Sequence, residues 1–158
     1  MAVNQARGDR GTGAQPGVAV DPFRAYNFKL IIQGITEAQF TACSGVGAKV
    51  PVLRYRTGGE HQVVHVLPGP VEYADVTLSY GMTRSRALFD WMLSVVKGDV
   101  QRKNVSILLL DSTGTNTVIR WNLIRAWPSE WLAAPLDALQ PEIAIARLTL
   151  VYESLEQA

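Results

Sequence analysis

The stretch VEYADVTLSYGMTRSRALFDWMLSVVKG, residues 71–98, changes its hydrophobic period halfway along. In its first part, apolar residues alternate with short polar ones, which predicts a β-strand with one buried side and one side facing water. Val76, Leu78 and Tyr80 form the predicted buried side, and Asp75, Thr77 and Ser79 form the opposite side.

The second part of this stretch predicts an α-helix over about residues 84–97. Its apolar residues recur at helical spacing and form one stripe, which we expect to pack on a sheet. Thr83 or Ser85 is suited to cap the start of the helix, and Gly98 to end it. The predicted stripe contains Leu88, Trp91, Met92, Val95 and Val96.

On both sides of this stretch the sequence reads as β-strands. Strand patterns cover residues 23–34, 35–45, 103–111, 115–127 and 142–155. In residues 115–127, Ile119, Trp121, Leu123 and Trp127 are predicted to share a face, and residues 128–141 to form a long loop. Together, these strands and the helix predict a mainly β fold, an antiparallel sandwich or barrel with one packed helix.

Residues 54–69, RYRTGGEHQVVHVLPG, predict a hairpin that turns at Gly58 and Gly59. Its arms do not carry the one-sided apolar pattern of a core strand, so we expect an exposed, half-polar ribbon. Residues 1–20 are rich in Gly, Ala and Gln and contain no aromatic residue, which predicts a flexible N-terminal arm preceding a β domain over residues 21–158.

Composition excludes several classes of function. The formal net charge is +1, so the chain lacks the basic surplus of a nucleic-acid-binding protein. The N-terminus has no secretory-type apolar run and no segment approaches membrane-spanning length, so we expect assembly in the cytoplasm without a signal peptide and no membrane insertion. Cys43 is the only cysteine, which rules out a disulfide within the chain.

No catalytic, cofactor-binding or metal-binding motif is present, so we expect a protein that is not an enzyme. His61 and His65 would lie ~13 Å apart along a strand, too far to bind one metal by themselves. Asp111 is predicted to close a turn through its own side chain. Cys43 is predicted to be a packing residue. Core packing is likewise the favoured role of Trp121, Trp127 and Trp131, although such a cluster also suits sugar or base stacking.

The succession of segments resembles the tail-tube protein family of contractile phage tails and extracellular contractile injection systems. YRTGG followed by LPG, then GMT opening a Trp-containing helix, then WNLIRAWP carry the resemblance, which covers about residues 21–156. Arg147 departs from the pattern, because the family commonly carries an acidic residue there. The resemblance therefore does not predict whether the lining of a channel would be positively or negatively charged.

The resemblance implies homohexameric rings that stack into a hollow tube inside a sheath. It implies contacts with baseplate and spike proteins at the tube end and protein cargo in the lumen. Neighbouring sheets would join around the channel, and the hairpin would reach the adjacent ring. The implied inter-ring contact residues are Arg54, Tyr55, Arg56, Gly58, Gly59, Glu60 and His61.

Three alternatives stay open at this point. The chain is also compatible with the tube-initiating ring at the baseplate of the same particle. A ligand-binding β-barrel that uses Trp121, Trp127 and Trp131 is a second alternative. An enzyme that uses Cys43 or a pair of acids brought together by the fold is the third.

Overall fold

A computed structural model describes residues 27–35, 40–82, 84–139 and 143–158. The predicted N-terminal arm and the proposed cap Thr83 lie outside the described residues. The elements are β1 Phe28–Ile32, β2 Phe40–Ser44, β3 Ala48–Lys49, β4 Val52–Tyr55, β5 His65–Pro68, β6 Glu72–Tyr73, β7 Val76–Gly81, α1 Ala87–Val96, β8 Lys103–Leu110, β9 Thr117–Leu132, β10 Ile145–Val151 and β11 Ser154–Gln157.

The strands pair in the order β1-β8-β9-β10-β7-β2, with β11 also on β9, and every pairing is antiparallel. The array bends along β9 into two halves. We call β1, β8, residues 117–126 of β9 and β11 sheet I, and β2, β7, β10 and residues 127–132 of β9 sheet II. This mainly β architecture with one short helix confirms the predicted fold class.

The bend in β9 is centred on Arg125, whose φ of 55° is the only positive value at a non-glycine among the described residues. The side-chain oxygen of Asn104 accepts the Arg125 main-chain N–H at 3.1 Å, and Glu153 pairs with the Arg125 guanidinium at 2.8 Å. The pairing of β8 and β9 shifts its register here, which marks a β-bulge. A β-bulge reverses the side-chain alternation of a strand and increases its twist. The strand can therefore leave sheet I and continue in sheet II.

This bend overturns two predictions. Residues 128–132 are not loop but the end of β9, and Pro128 lies opposite Leu150 of β10. Proline is compatible with a strand here because, among the described strands, only β10 pairs with this part of β9. Because the alternation is reversed, Ala126 and Pro128 are buried, and Trp127 lies on the face opposite to the one predicted.

The last predicted strand is also two strands. It breaks at Tyr152 and Glu153, where the Glu153 N–H donates to the Ile124 carbonyl. Before the break β10 belongs to sheet II, and after it β11 pairs with the first part of β9 in sheet I. The sequence shows one continuous alternation there, so it contains no signal for the change of sheet.

The core lies between the two sheets and is closed by the helix. Burying one such aliphatic side chain stabilises the fold by about 1.5–3 kcal/mol. As predicted, the inward face of β7 is apolar: Val76 and Leu78 are fully buried and Tyr80 is half-buried. The central cluster also includes Leu88, Trp91, Val105, Ile107, Leu123, Leu148 and Leu150.

The helix is shorter than predicted and begins at Ala87, with Arg86 rather than Ser85 at the capping position. Its end is as predicted. Gly98 has a φ of 88° and donates to the Val95 carbonyl, while Asp99 donates to the Ser94 carbonyl. Leu88 and Trp91 of the stripe are buried, but Val96, in the last turn, is 69% exposed.

Candidate assembly surfaces

A long two-stranded ribbon extends from sheet II. Beyond the pair β2 and β7, the chain continues through β3 paired with β6 and then β4 paired with β5. The sequence predicts one strand over residues 71–81, but the chain leaves the strand conformation between β6 and β7. The ribbon is therefore an extension of the β2–β7 pair.

The base of the ribbon is held by main-chain and aromatic contacts. The Ala74 N–H donates to the Gly47 carbonyl at 3.0 Å, and the Tyr152 hydroxyl donates to the same carbonyl at 3.2 Å. The rings of Tyr73 and Tyr152 lie 5.5 Å apart. These contacts fix where the ribbon leaves the domain.

The tip of the ribbon turns where predicted. The Glu60 N–H donates to the Thr57 carbonyl at 3.2 Å, and Gly59 has a φ of 97°, as the third residue of a type II turn requires. His65 lies 3.1 Å from a Glu60 carboxylate oxygen and stacks on Tyr55 at 4.9 Å. The return arm is shorter than predicted, because β5 begins only at His65.

The arms of the ribbon expose apolar side chains on both faces. By register, Leu53 pairs with Leu67 on one face, while Val52 and Val66 lie on the other. All four are between 48% and 59% exposed. The polar character expected from the sequence holds for the tip and for Arg54, whereas the four apolar side chains of the arms are exposed and have no partner in the described chain. In the sequence, the signal for these exposed apolar side chains is the adjacent apolar pair at 52–53 and again at 66–67, which the prediction of the ribbon does not use.

All the predicted contact residues lie on this hairpin. Arg54 and Tyr55 are in β4, and Arg56 to His61 form the loop. Each of Arg54, Tyr55, Arg56, Gly58, Gly59, Glu60 and His61 is exposed.

The outward face of sheet II carries short polar residues. Register places Thr77 beside Thr149, and Ser79 beside Arg147, on this face. Glu130 lies opposite Thr149 on the next strand. Arg147 and Glu130 are both exposed, so within the described part of β7, β10 and β9 this face carries one cation and one anion. The two charges on this face balance each other.

The segment after β9 carries the most exposed apolar side chains of the described chain. Leu136, Leu139 and Ile143 are 88%, 91% and 82% exposed. Together with Leu132 and Arg147, this segment borders an open groove at one end of the sheet II face. Such extensively exposed leucines are typical of segments that pack against a partner.

The three tryptophans do not form one binding site. Trp131 donates to the Tyr80 hydroxyl at 2.7 Å and packs edge-on against Phe89 at 5.0 Å. Trp121 packs against the core, whereas Trp127 lies on the outward side of β9. Beside Trp131 there is one small aromatic pocket, which also involves Met82 and Arg86. This arrangement favours packing over a stacking platform.

Cys43 is a packing residue, as predicted. It lies on the inward side of β2, opposite the buried Leu78. Burial raises the pKa of the Cys43 thiol to about 11, so the nucleophilic thiolate is scarce at neutral pH.

Asp111 also has the predicted role. One of its carboxylate oxygens accepts from the Thr113 hydroxyl at 2.7 Å and from the main-chain N–H groups of Thr113 and Thr115. The other accepts from the Asn116 side chain at 2.9 Å. These hydrogen bonds, led by the one from the Thr113 side chain, lower the pKa of Asp111. The carboxylate closes the turn between β8 and β9.

Among the described residues, no group of three or more His, Cys, Asp or Glu side chains is arranged to hold a metal ion. In the same part of the chain, no helix is long and apolar enough to cross a membrane.

Comparison with known proteins identifies the family. Residues 24–156 match the model of the T4-like virus tail tube protein gp19 family, and the chain therefore belongs to it. Among individually characterised protein sequences, none matches this chain significantly.

Solved structures with similar folds come from contractile injection systems. A chain of the extended sheath–tube complex of the extracellular contractile injection system PVC is 26% identical, with a TM-score of 0.78 over 87% of this chain and 91% of that one. A chain of the tube-terminating cap of the anti-feeding prophage is 26% identical, with a TM-score of 0.80 over 89% and 94%. A chain of the anti-feeding prophage baseplate is 25% identical, with a TM-score of 0.77 over 89% and 97%.

The chain is thus a structural component of a phage tail or an injection particle. Its relatives occupy the tube, the cap and the baseplate of such particles, and its family is structural.

Proposed function

We propose that this protein forms the inner tube of a contractile injection system or phage-like tail, by stacking of homohexameric rings into a conduit for cargo. The observation that carries the proposal is the ribbon of β4 and β5, which exposes Leu53 and Leu67 on one face and Val52 and Val66 on the other. Exposed apolar side chains of this kind are unfavourable in water and become favourable when they lie between two protein surfaces.

The ribbon is well placed to join rings. From Val46 to Gly58 an extended chain of ~3.3 Å per residue reaches up to ~40 Å, far beyond the core of the domain. Its base is fixed by Tyr152 and its tip by the contacts among Tyr55, Glu60 and His65. A protruding, braced ribbon of this kind suits contact between Arg54, Tyr55 and the rest of the predicted set and the next ring.

The outward face of sheet II is the proposed bore. Thr77, Ser79 and Thr149 present short polar side chains that leave room for water, while the opposite face of the same strands is buried. Arg147 and Glu130 balance each other, which favours a lumen of low net charge. Cargo would then pass without strong attachment to the wall.

Within this proposal the surrounding sheath and the baseplate or spike are the partners, and the rings assemble in the cytoplasm. Relatives of similar identity come from a sheath–tube complex and from a baseplate, which supports these partners. The second candidate, a tube-initiating ring at the baseplate, is supported by the baseplate relative.

Electron microscopy of the purified chain tests the proposal. We expect six-fold rings that stack into tubes as the protein concentration rises. A folded protein that stays monomeric at every concentration, with its strand edges protected from hydrogen exchange, would overturn it. Copy number per purified particle separates the two candidates, because a tube protein is present in many rings and an initiator in one.

A further inference from the structure

We propose that the cavity between the start of α1 and sheet II binds a small planar aromatic carboxylate. The cavity has a volume of about 250 Å³ and lies among β7, the end of β9 and the first turn of the helix. The inference does not depend on ring assembly, because it concerns a site within one folded chain. The residues that line the cavity are Tyr80, Met82, Ser85, Arg86, Phe89 and Trp131.

The walls of the cavity are mainly aromatic. Phe89 of the helix meets Trp131 of β9 edge-on, with ring centroids 5.0 Å apart, and Tyr80 of β7 is hydrogen-bonded to Trp131. These rings and the thioether of Met82 favour an aromatic ligand over an aliphatic one, because ring–ring and sulfur–ring contacts add to the burial of apolar surface. An apolar cavity of about 150 Å³ holds benzene, so this one has room for one or two fused rings.

These walls are held in place without a ligand. The Trp131 indole N–H donates to the Tyr80 hydroxyl at 2.7 Å, and the ring of Phe40 packs edge-on against Tyr80 at 6.0 Å. Trp131 also lies opposite the buried Leu148 of β10. A cavity whose side chains are already ordered loses little conformational entropy on binding, which favours affinity even for a small ligand.

The Tyr80 hydroxyl supplies a directional polar group. Its oxygen accepts the hydrogen bond from Trp131, and in the described part of the chain no acceptor is bonded to its own proton. A phenolic hydroxyl donates one hydrogen bond as well as accepting. The Tyr80 hydroxyl can therefore donate to an oxygen of a bound ligand, and a carboxylate oxygen accepts this hydrogen bond more strongly than a neutral one.

Arg86 determines which charge the ligand carries. Its guanidinium lies 5.7 Å from the centre of the Phe89 ring, and its side chain is 71% exposed. Its ion-pair partner Asp90 is 3.8 Å away and 61% exposed, and an exposed pair of this kind contributes little, so the guanidinium can pair with a carboxylate of the ligand. Aromatic walls alone would also suit a cation, but Arg86 already lies over Phe89 and would repel one.

The competing occupant of the cavity is an apolar side chain of a neighbouring copy. The polar groups favour the aromatic carboxylate, because Tyr80 and Arg86 would gain no hydrogen-bond partner from an apolar side chain. The two occupants differ in their dependence on charge and on assembly. The experiments below therefore vary both.

The test is NMR titration of the dissociated chain with three probes of similar size: naphthoate, naphthamide and naphthylmethylammonium. We expect saturable binding of naphthoate with a Kd on the order of 1 mM or tighter, about fivefold or more weaker binding of the amide, and no binding of the ammonium. The Trp131 indole N–H resonance should shift. That of Trp91, which donates to the Gln101 carbonyl at 2.7 Å and does not line the cavity, should stay in place. Equal or tighter binding of the amide or the ammonium would overturn the proposal, as would an unmoved Trp131 resonance.

Two exposed arginines give a matched pair of variants. Arg86→Gln removes the charge at the cavity and should weaken naphthoate binding by about fivefold or more, while the amide changes by less than about twofold. Arg84→Gln removes an exposed charge that does not line the cavity, and naphthoate should bind as it does to the unsubstituted chain. Equal losses in the two variants would show general attraction to positive charge and overturn the site.

Phe89→Leu tests the aromatic wall. Leucine keeps an apolar side chain at this position but removes the ring, so both naphthoate and naphthamide should bind more weakly. Circular dichroism checks that the variant is folded. Unchanged binding of both probes by the folded variant would exclude Phe89 as a wall of the site and overturn the proposal.

Binding to assembled protein distinguishes a free ligand from a neighbouring side chain. Saturation-transfer NMR observes the ligand and so applies to rings as well as to the single chain. We expect naphthoate to bind both forms with similar affinity. Binding that is lost in rings would overturn the free carboxylate as the occupant in favour of a neighbouring copy. Absence of rings would overturn the proposed function, whereas absence of naphthoate binding by the single chain would overturn this site.

Discussion

At the level of single residues, Gly45 has the closest contact for an added side chain among the described glycines. It ends β2 with a φ of 95°, and a Cβ added there would lie 2.1 Å from the Asp75 carbonyl oxygen. We predict that Gly45→Ala lowers the free energy of unfolding by about 2–4 kcal/mol, because left-handed strain alone costs about 1–3 kcal/mol and the clash adds to it. Chemical denaturation measures the change.

Gly47→Ala is the matched control, since an added Cβ there meets no atom within 4 Å. We expect a change within about 0.5 kcal/mol, because the added methyl group meets no neighbouring atom. Similar losses in the two variants would contradict the steric explanation.

Asp111 makes a pH-dependent contribution to the stability of the folded protein. Because its pKa is lowered in the folded state, its stabilising effect is complete above the unfolded-state pKa of about 3.9 and is lost as pH falls toward the folded value. We predict that Asp111→Asn lowers the Tm at pH 7, and that the difference from the unsubstituted protein shrinks below about pH 4. A constant Tm difference from pH 7 to pH 3 would contradict this assignment.

At the level of elements, the ribbon is predicted to be separable from the fold. Deleting residues 57–61 removes the turn that links the arms of the ribbon but no core residue. We expect a folded domain by circular dichroism and weaker stacking of rings by microscopy. Loss of the folded domain would show that the tip has a structural role instead.

A substitution in one arm of the ribbon tests the contribution of the arms to ring stacking apart from that of the tip. Leu53→Asp places a charge on the exposed apolar arm, and should leave the free energy of unfolding within about 0.5 kcal/mol while abolishing stacking. Val96→Asp, at an exposed apolar site on the helix, is the control and should stack normally. Equal stacking by the two variants would exclude the arm as a contact.

The elements that the sequence predicts well are those that local pattern determines. The alternation at Val76 and Leu78 and the helical end at Gly98 depend on side-chain periodicity and backbone freedom within a few residues. The bend at Arg125 depends on Asn104 and Glu153, which are distant in sequence, so no local signal announces it. For the same reason the sequence predicts only a half-polar ribbon, because the exposure of its apolar side chains depends on contacts that a local pattern does not contain.

At the level of the whole molecule, the fold presents two outward sheet faces of different character, and only one is proposed to line the channel. In a tube, Arg147 of sheet II would face the lumen, whereas Lys29 of sheet I would face outward or a neighbour. Both side chains are exposed in the single chain. After assembly, labelling with reagents of different size can therefore show which of the two positions faces the lumen.

We predict that Arg147→Cys, in a Cys43→Ser background, reacts in assembled tubes with a small thiol reagent but not with a maleimide carrying a long polyethylene glycol chain. The small reagent diffuses along a water-filled bore, and the polymer is excluded from it. In dissociated protein both reagents should label this position, which controls for intrinsic reactivity. Lys29→Cys should not show this difference in labelling between the small reagent and the polymer. Labelling of Arg147→Cys by the polymer in intact tubes would place sheet II outside the channel, because a bore-facing side chain is reachable only through the tube ends.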